Sequence, residues 1–157
     1  MAAELAWWQE AGVAGLTVTC VPARHFSGRG LTDRNRTLWA GFVVAGKGRR
    51  LYHAGDTALF DGFVEIGRRA GPIDLACLPL GGYEPRAMMG PVHLNPEEAV
   101  RAALDLEARA AVGMHFGTFD LSDEALDEPP RRFLAEARVR GLGDRAVVMA
   151  VGETRGF

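Results

Sequence analysis

Asp74-Leu75-Ala76-Cys77-Leu78-Pro79 is a short, nearly continuous apolar run that follows Gly71-Pro72 and leads into a polar loop. A run of that length and composition reads as a buried strand. Its surroundings supply the layer that would bury it. Upstream, Phe60, Phe63, Val64 and Ile66 give Phe60 to Ala70 one apolar face, and Gly71-Pro72 stops that helix. Downstream, Asn95 is a good N-cap, Pro96 suits the first helical position, and Glu97-Glu98 complement the positive end of the helix dipole. That helix is predicted to reach about Ala108. Ala110 to Met114 is a further apolar strand, Pro129-Pro130 opens a helix ending near Arg140, and Arg145 to Val151 reads as the last strand. Strand and helix alternate through this part, which predicts an α/β layered fold.

The upstream third adds antiparallel pairing. Leu16 to Val21 alternates as a strand and ends at Pro22. Leu38 to Val44 is a second strand, Gly46-Lys47-Gly48 a tight turn, and Arg49 to Ala54 the return strand of a hairpin. The predicted sheet is therefore mixed. Trp7 and Trp8 are adjacent large aromatics in an otherwise unassigned segment. They predict a packing partner in preceding structure or in another chain.

With 157 residues and 48% hydrophobic content, the chain has enough for one domain spanning 1–157. Its 18 basic and 20 acidic residues leave a net charge of -2, which gives no footprint for nucleic acid. Cys20 and Cys77 lie in apolar runs without a Cys-x-x-Cys spacing, so both are expected to be buried free thiols. No secretory signal pattern and no apolar run near ~20 residues is present, which predicts a cytoplasmic location.

Three polar residues fall just after predicted strands: His25, Asp56 and His115. Imidazoles and a carboxylate projecting from strand ends suit a divalent transition metal. Each also has an ordinary structural use. His25 could cap a carbonyl, Asp56 could serve as a turn residue or cap the helix near Phe60, and His115 could be a half-buried packing residue. Thr57 is placed to orient the Asp56 carboxylate. His93 precedes a helix and is a candidate substrate contact. Tyr83, Glu84 and Arg86 share a loop with it, and Arg86 could grip a phosphate in a bidentate manner or pair with a carboxylate. His53 points to the opposite side of its strand from its neighbours and is expected at the surface.

Seven ordered segments carry a family resemblance: Pro22-Ala23-Arg24-His25-Phe26-Ser27-Gly28-Arg29, Leu38-Trp39-Ala40-Gly41-Phe42, Ala54-Gly55-Asp56-Thr57, Gly71-Pro72-Ile73-Asp74-Leu75-Ala76, Leu80-Gly81-Gly82-Tyr83-Glu84-Pro85-Arg86, His93-Leu94-Asn95-Pro96-Glu97-Glu98-Ala99-Val100 and His115-Phe116-Gly117-Thr118-Phe119. Together they resemble the metallo-β-lactamase-fold hydrolases, in particular the N-acyl-phosphatidylethanolamine-hydrolysing phospholipase D branch. The resemblance implies the C-terminal αβ half of an αβ/βα sandwich, a mixed sheet with helices on one face. It implies a site of two zinc ions, with His25 on the first, Asp56 bridging and His115 on the second. Asp56 and His115 would then be catalytic, a hydroxide attacking a phosphodiester. His93, Tyr83 and Arg86 would contact the substrate, which could be presented at a membrane surface.

The family's His-x-His-x-Asp-His cluster does not occur in the sequence. Zinc ordinarily takes three or four protein donors, and three donors shared over two ions fall short of that. The expectation is a zinc phosphodiesterase of the phospholipase D-like kind that is inactive as this chain alone. The N-terminal half is expected to be absent or supplied by a partner, with a homodimer the other arrangement that would cover the sheet. The competing expectations are a truncated, non-catalytic interaction module, or another hydrolase activity on the same fold.

Overall fold

The computed structural model describes residues 4–157. Seven strands form one sheet in sequence order: β1 (Glu10–Val13), β2 (Leu16–Pro22), β3 (Ala40–Gly46), β4 (Arg49–His53), β5 (Leu75–Pro79), β6 (Ala110–Met114) and β7 (Ala146–Val147). Strands β1 to β4 pair antiparallel, and β4 to β7 pair parallel. The mixed sheet follows from the connections. Lys47 and Gly48 both take positive φ (50° and 74°) between β3 and β4, the backbone that a two-residue hairpin requires. The links from β4 onward pass through helices α1 (Gly62–Ala70), the short α2 (Arg86–Met89) with α3 (Pro96–Asp105), and α4 (Glu128–Val139). A helical crossover returns the chain parallel.

Register places Thr19, Val43, Tyr52, Ala76, Ala111 and Ala146 side by side on one sheet face. Of these, Val43, Tyr52, Ala76, Ala111 and Ala146 join the core with Phe63 and Ile66 of α1, Ala99, Val100 and Ala103 of α3, and Phe133 and Ala137 of α4. The helices thus share one face of the sheet. The small alanines at the centre of β5 and β6 let the α3 alanines approach closely. α3 begins with the full capping box: Asn95 accepts from the Glu98 amide, and Glu98 accepts from the Asn95 amide. The other face carries the row Cys20, Phe42, His53, Cys77, Val112 and Val147. Phe42 and His53 are exposed there, and Cys77 and Val112 are only half-buried.

Four sequence expectations are corrected. A strand β1, absent from the sequence reading, pairs with β2 through a turn at Ala14-Gly15, whose φ values are both positive (50° and 80°). The final strand is only Ala146–Val147. Cys77 lies half-buried on the open sheet face rather than in the core. The tryptophans find partners inside the chain: the Arg69 guanidinium lies 3.6 Å over the Trp8 ring, and the Trp7 indole donates to the Trp39 carbonyl at 2.8 Å.

Candidate active site

The chemistry gathers at the C-terminal ends of the parallel strands, where open α/β sheets bind ligands. β4 ends at His53 and runs into Ala54-Gly55-Asp56-Thr57. Gly55 takes φ 64°, and a Cβ there would stand 2.9 Å from the Ala40 carbonyl oxygen, so only glycine fits this turn. β6 ends at Met114, and His115 adopts a left-handed φ of 57°. That conformation is uncommon outside glycine and swings the imidazole off the strand line. β2 delivers Ala23-Arg24-His25 at the same edge.

Thr57 fastens these loops together. It is fully buried. Its Oγ1 accepts from the Arg24 amide at 2.9 Å and donates to the Ala58 carbonyl, and the Thr57 carbonyl accepts from the Leu94 amide at 2.9 Å. One residue therefore ties the His25 loop and the His93 loop to the Asp56 turn. This replaces the expected role of its hydroxyl, which meets backbone rather than the Asp56 carboxylate. Gly81 completes the frame by donating to the His115 carbonyl at 2.9 Å.

His115 Nε2 stands 3.2 Å from Asp56 Oδ1. The His115 ring neighbours that of His93 at 5.7 Å between centroids, and His93 neighbours His25 at 5.1 Å. Asp56, His115 and His25 thus reach one edge, with the first two in contact and the third one imidazole away. His25 Nδ1 lies 3.0 Å from the Phe26 carbonyl oxygen, which assigns the proton to Nδ1 and leaves the Nε2 lone pair free. His25 Nε2 is buried and has no hydrogen-bond partner, and neither does His93 Nδ1. Burial, reinforced by the neighbouring His25, holds the His93 pKa below its usual value, so this ring is neutral at pH 7.

Buried lone pairs without partners are costly, and a cation beside them would satisfy them. The donor types also match zinc, whose ligands are imidazole nitrogen and carboxylate oxygen as well as thiolate. The residues fit part of a metal site. Among the described residues, no group of three or more His, Cys, Asp or Glu side chains stands close enough to hold a metal by itself.

Tyr83 and Arg86 serve the site indirectly. Tyr83 is fully buried, and its hydroxyl donates to Glu128 at 2.8 Å. Arg86 grips Glu98 with both carboxylate oxygens at 2.8 Å and donates to the His93 carbonyl at 3.1 Å. The phosphate-gripping geometry expected of Arg86 is therefore spent on an internal ion pair that holds the His93 loop, and Tyr83 faces the interior rather than a ligand. Glu124, which the sequence reading passed over, accepts from the Gly82 and Glu84 amides and from the Ser122 hydroxyl. Burial works against its ionised form, but the Glu84 and Gly82 amides and the Ser122 hydroxyl together hold its carboxyl below the usual range. Nothing in the local sequence marks such a long-range clamp.

Residues 1–116 match the family described as the Beta-lactamase superfamily domain. The chain belongs to this family. Its relatives carry the same signal. An uncharacterized protein of Mycobacterium tuberculosis is 48% identical over 85% of this chain and 36% of its own length. The N-acyl-phosphatidylethanolamine-hydrolyzing phospholipase D 1 of Caenorhabditis elegans is 43% identical over 77% of this chain and 34% of its own. The mitochondrial enzyme of that name from Saccharomyces cerevisiae is 40% identical over 98% of this chain and 34% of its own. The chain therefore spans about a third of the length of these curated relatives. Among solved structures, Igni18, a metallo hydrolase of Ignicoccus hospitalis, superposes with a TM-score of 0.73 at 26% identity over 96% of this chain and 58% of that one. Family membership thus makes this a metallo-β-lactamase-fold protein of a metallo-hydrolase family. No described helix is long and apolar enough to cross a membrane.

Proposed function

We propose that His25, Asp56 and His115 are part of the zinc site of a hydrolase that cleaves a phosphodiester in a phospholipid-type substrate. The observation that carries this reading is the meeting of strand-end donors at one edge, with Asp56 against His115 and the His25 Nε2 lone pair buried and unpartnered. The substrate class is supported by the two phospholipase D relatives. When bound, zinc would polarise a phosphoryl oxygen as a Lewis acid. Asp56 holds the His115 imidazole in place, and the Phe26 carbonyl fixes the His25 tautomer. His93 lies between His25 and His115 and is the candidate to contact the substrate beside them.

Three donors do not complete two zinc sites, so the remaining ligands come from a His-x-His-x-Asp-His segment outside these 157 residues, on the same polypeptide or a second one. The incomplete donor set also favours a second reading, a non-catalytic module that binds no metal. The two separate in one experiment. The chain is treated with chelator, and its zinc content and hydrolysis of N-acyl-phosphatidylethanolamine are measured with and without the histidine-rich segment of a relative. The expected result is zinc loss and no turnover alone, with about two zinc ions and turnover on complementation. His25→Ala and His115→Ala should each abolish the restored turnover. Turnover that survives both substitutions, or a complemented chain that stays metal-free and inert, overturns the proposal.

A further inference from the structure

The backbone of residues 80–84 runs beneath the imidazoles, and its amides are satisfied in two ways. Leu80 donates to the Met114 carbonyl and Gly81 to the His115 carbonyl, both at 2.9 Å. β6 ends at Met114, so it offers no acceptor further along. Glu124 supplies the next two. Its Oε1 accepts from the Gly82 amide and its Oε2 from the Glu84 amide at 3.0 Å. One carboxylate thus extends the edge that the strand no longer provides. Bonds from amides to an ionised carboxylate are roughly twice as strong as neutral ones.

Gly82 is also the residue that meets the rings. A Cβ on it would stand 3.6 Å from His93 Nδ1 and 3.8 Å from His115 Cε1. The Gly82 hydrogen on that side therefore points at both imidazoles. His115 is 42% exposed and His93 Nδ1 has no hydrogen-bond partner, so packing carries much of the work of fixing these rings. Glu124 reaches Gly82 from residues 117–127, which form neither helix nor strand. Nothing in the regular frame of the fold would hold Gly82 in its place.

We infer that Glu124 is a positioning residue of this site: its carboxylate pins the Gly82 backbone against the His93 and His115 rings and so sets their orientation. The inference deepens the hydrolase reading and rests on it only for what the rings then do. Supporting groups around a metal site matter because a ligand out of line by a fraction of an ångström binds and reacts poorly.

The test compares wild type with Glu124→Gln, which turns an NH2 toward one of two amide donors. Glu124→Asp keeps the charge, shortens the reach and serves if the Gln variant does not fold. Glu128→Gln is the control, since it loosens the neighbouring Tyr83 hydroxyl without touching Gly82. In the chelator-treated chain, the Gly82 and Glu84 amides of Glu124→Gln should exchange about ten-fold faster or more, while Leu80 and Gly81 stay protected. Nuclear Overhauser contacts from the Gly82 Hα to the ring protons of His93 and His115 should weaken. Glu124→Asp should show the same changes at smaller amplitude, and Glu128→Gln should leave the Gly82 contacts as they are. In the complemented protein, Glu124→Gln should lower kcat about 10- to 100-fold with KM close to wild type. Unchanged Gly82 exchange and ring contacts in both Glu124 variants overturn the inference. So does an equal disturbance in Glu128→Gln, or a rise in KM alone. The exchange and contact readouts involve neither zinc nor turnover. Displaced rings beside an inert complemented wild type would sustain the positioning role and defeat the hydrolase reading; undisturbed rings beside full wild-type turnover would do the reverse.

Discussion

Asp56→Ala is expected to remove metal binding while leaving the fold intact. Asp56 and His115 meet at 3.2 Å with side chains 43% and 42% exposed, so their contact adds little to stability, under about 1 kcal/mol. Their importance is chemical. Among the described residues, the carboxylate is the only acidic side chain paired with His115, and it emerges from a turn that Gly55 alone permits. Without it the complemented site loses a proposed bridging donor and the group that orients an imidazole. Loss of an orienting partner alone lowers metal affinity by about 10- to 100-fold, and loss of the donor itself should exceed the upper figure. Chelator competition for zinc, run beside thermal unfolding of wild type and variant, separates the two effects. A variant that melts normally and binds zinc as tightly as wild type would remove Asp56 from the site.

Gly81→Ala should damage both fold and site. A Cβ at this position would stand 2.5 Å from the His115 carbonyl oxygen and 3.2 Å from the Phe116 Cα. Both obstacles are backbone, which yields less readily than a side chain. The same carbonyl accepts the Gly81 amide, so relieving the clash breaks that bond as well. Overpacking of this kind costs about 1–3 kcal/mol. For a domain of this size that lowers the melting temperature by roughly 2–4 °C per kcal/mol. His115 already sits in a left-handed conformation, so the displacement falls on a residue with little freedom to absorb it. Zinc binding in the complemented protein should weaken in parallel. Gly12→Ala is the control, since nothing lies within 4 Å of a Cβ there. Its effect should stay within about 0.5 kcal/mol. Equal melting temperatures for wild type and Gly81→Ala would show that the His115 strand end is not held by this contact.

The elements most legible in the sequence were those whose signals are local. Asn95, Pro96 and Glu98 declared the start of α3 through their own hydrogen-bonding capacities, and Lys47-Gly48 declared a hairpin through its backbone requirement. The apolar runs of β5 and β6 were read to within a residue. β1 was missed because Glu10-Ala11-Gly12-Val13 carries no alternation, and its pairing with β2 supplies what its composition lacks. β7 stops after Val147 even though the apolar run continues, because pairing with β6 ends there. The metal-donor candidates were legible as residue types at strand ends. The scaffolding around them was not: Thr57, Arg86 and Glu124 act on partners 33, 12 and up to 42 residues away. Arg86 shows the ambiguity well, since a guanidinium fit for a phosphate is equally fit for Glu98, and only the fold decides between them.

The decisive measurement follows the imidazole nitrogens of the chain's four histidines by long-range proton–nitrogen NMR as zinc is added to the chelator-treated chain complemented with the histidine-rich segment. His53 is an internal control, exposed in β4 on the sheet face away from the helices. The expected result is a selective response of His25 Nε2 and of His115, with His53 unmoved. A response of His53 equal to theirs, or silence from His25 and His115 while zinc binds elsewhere, would contradict the assignment of this strand edge as a metal site.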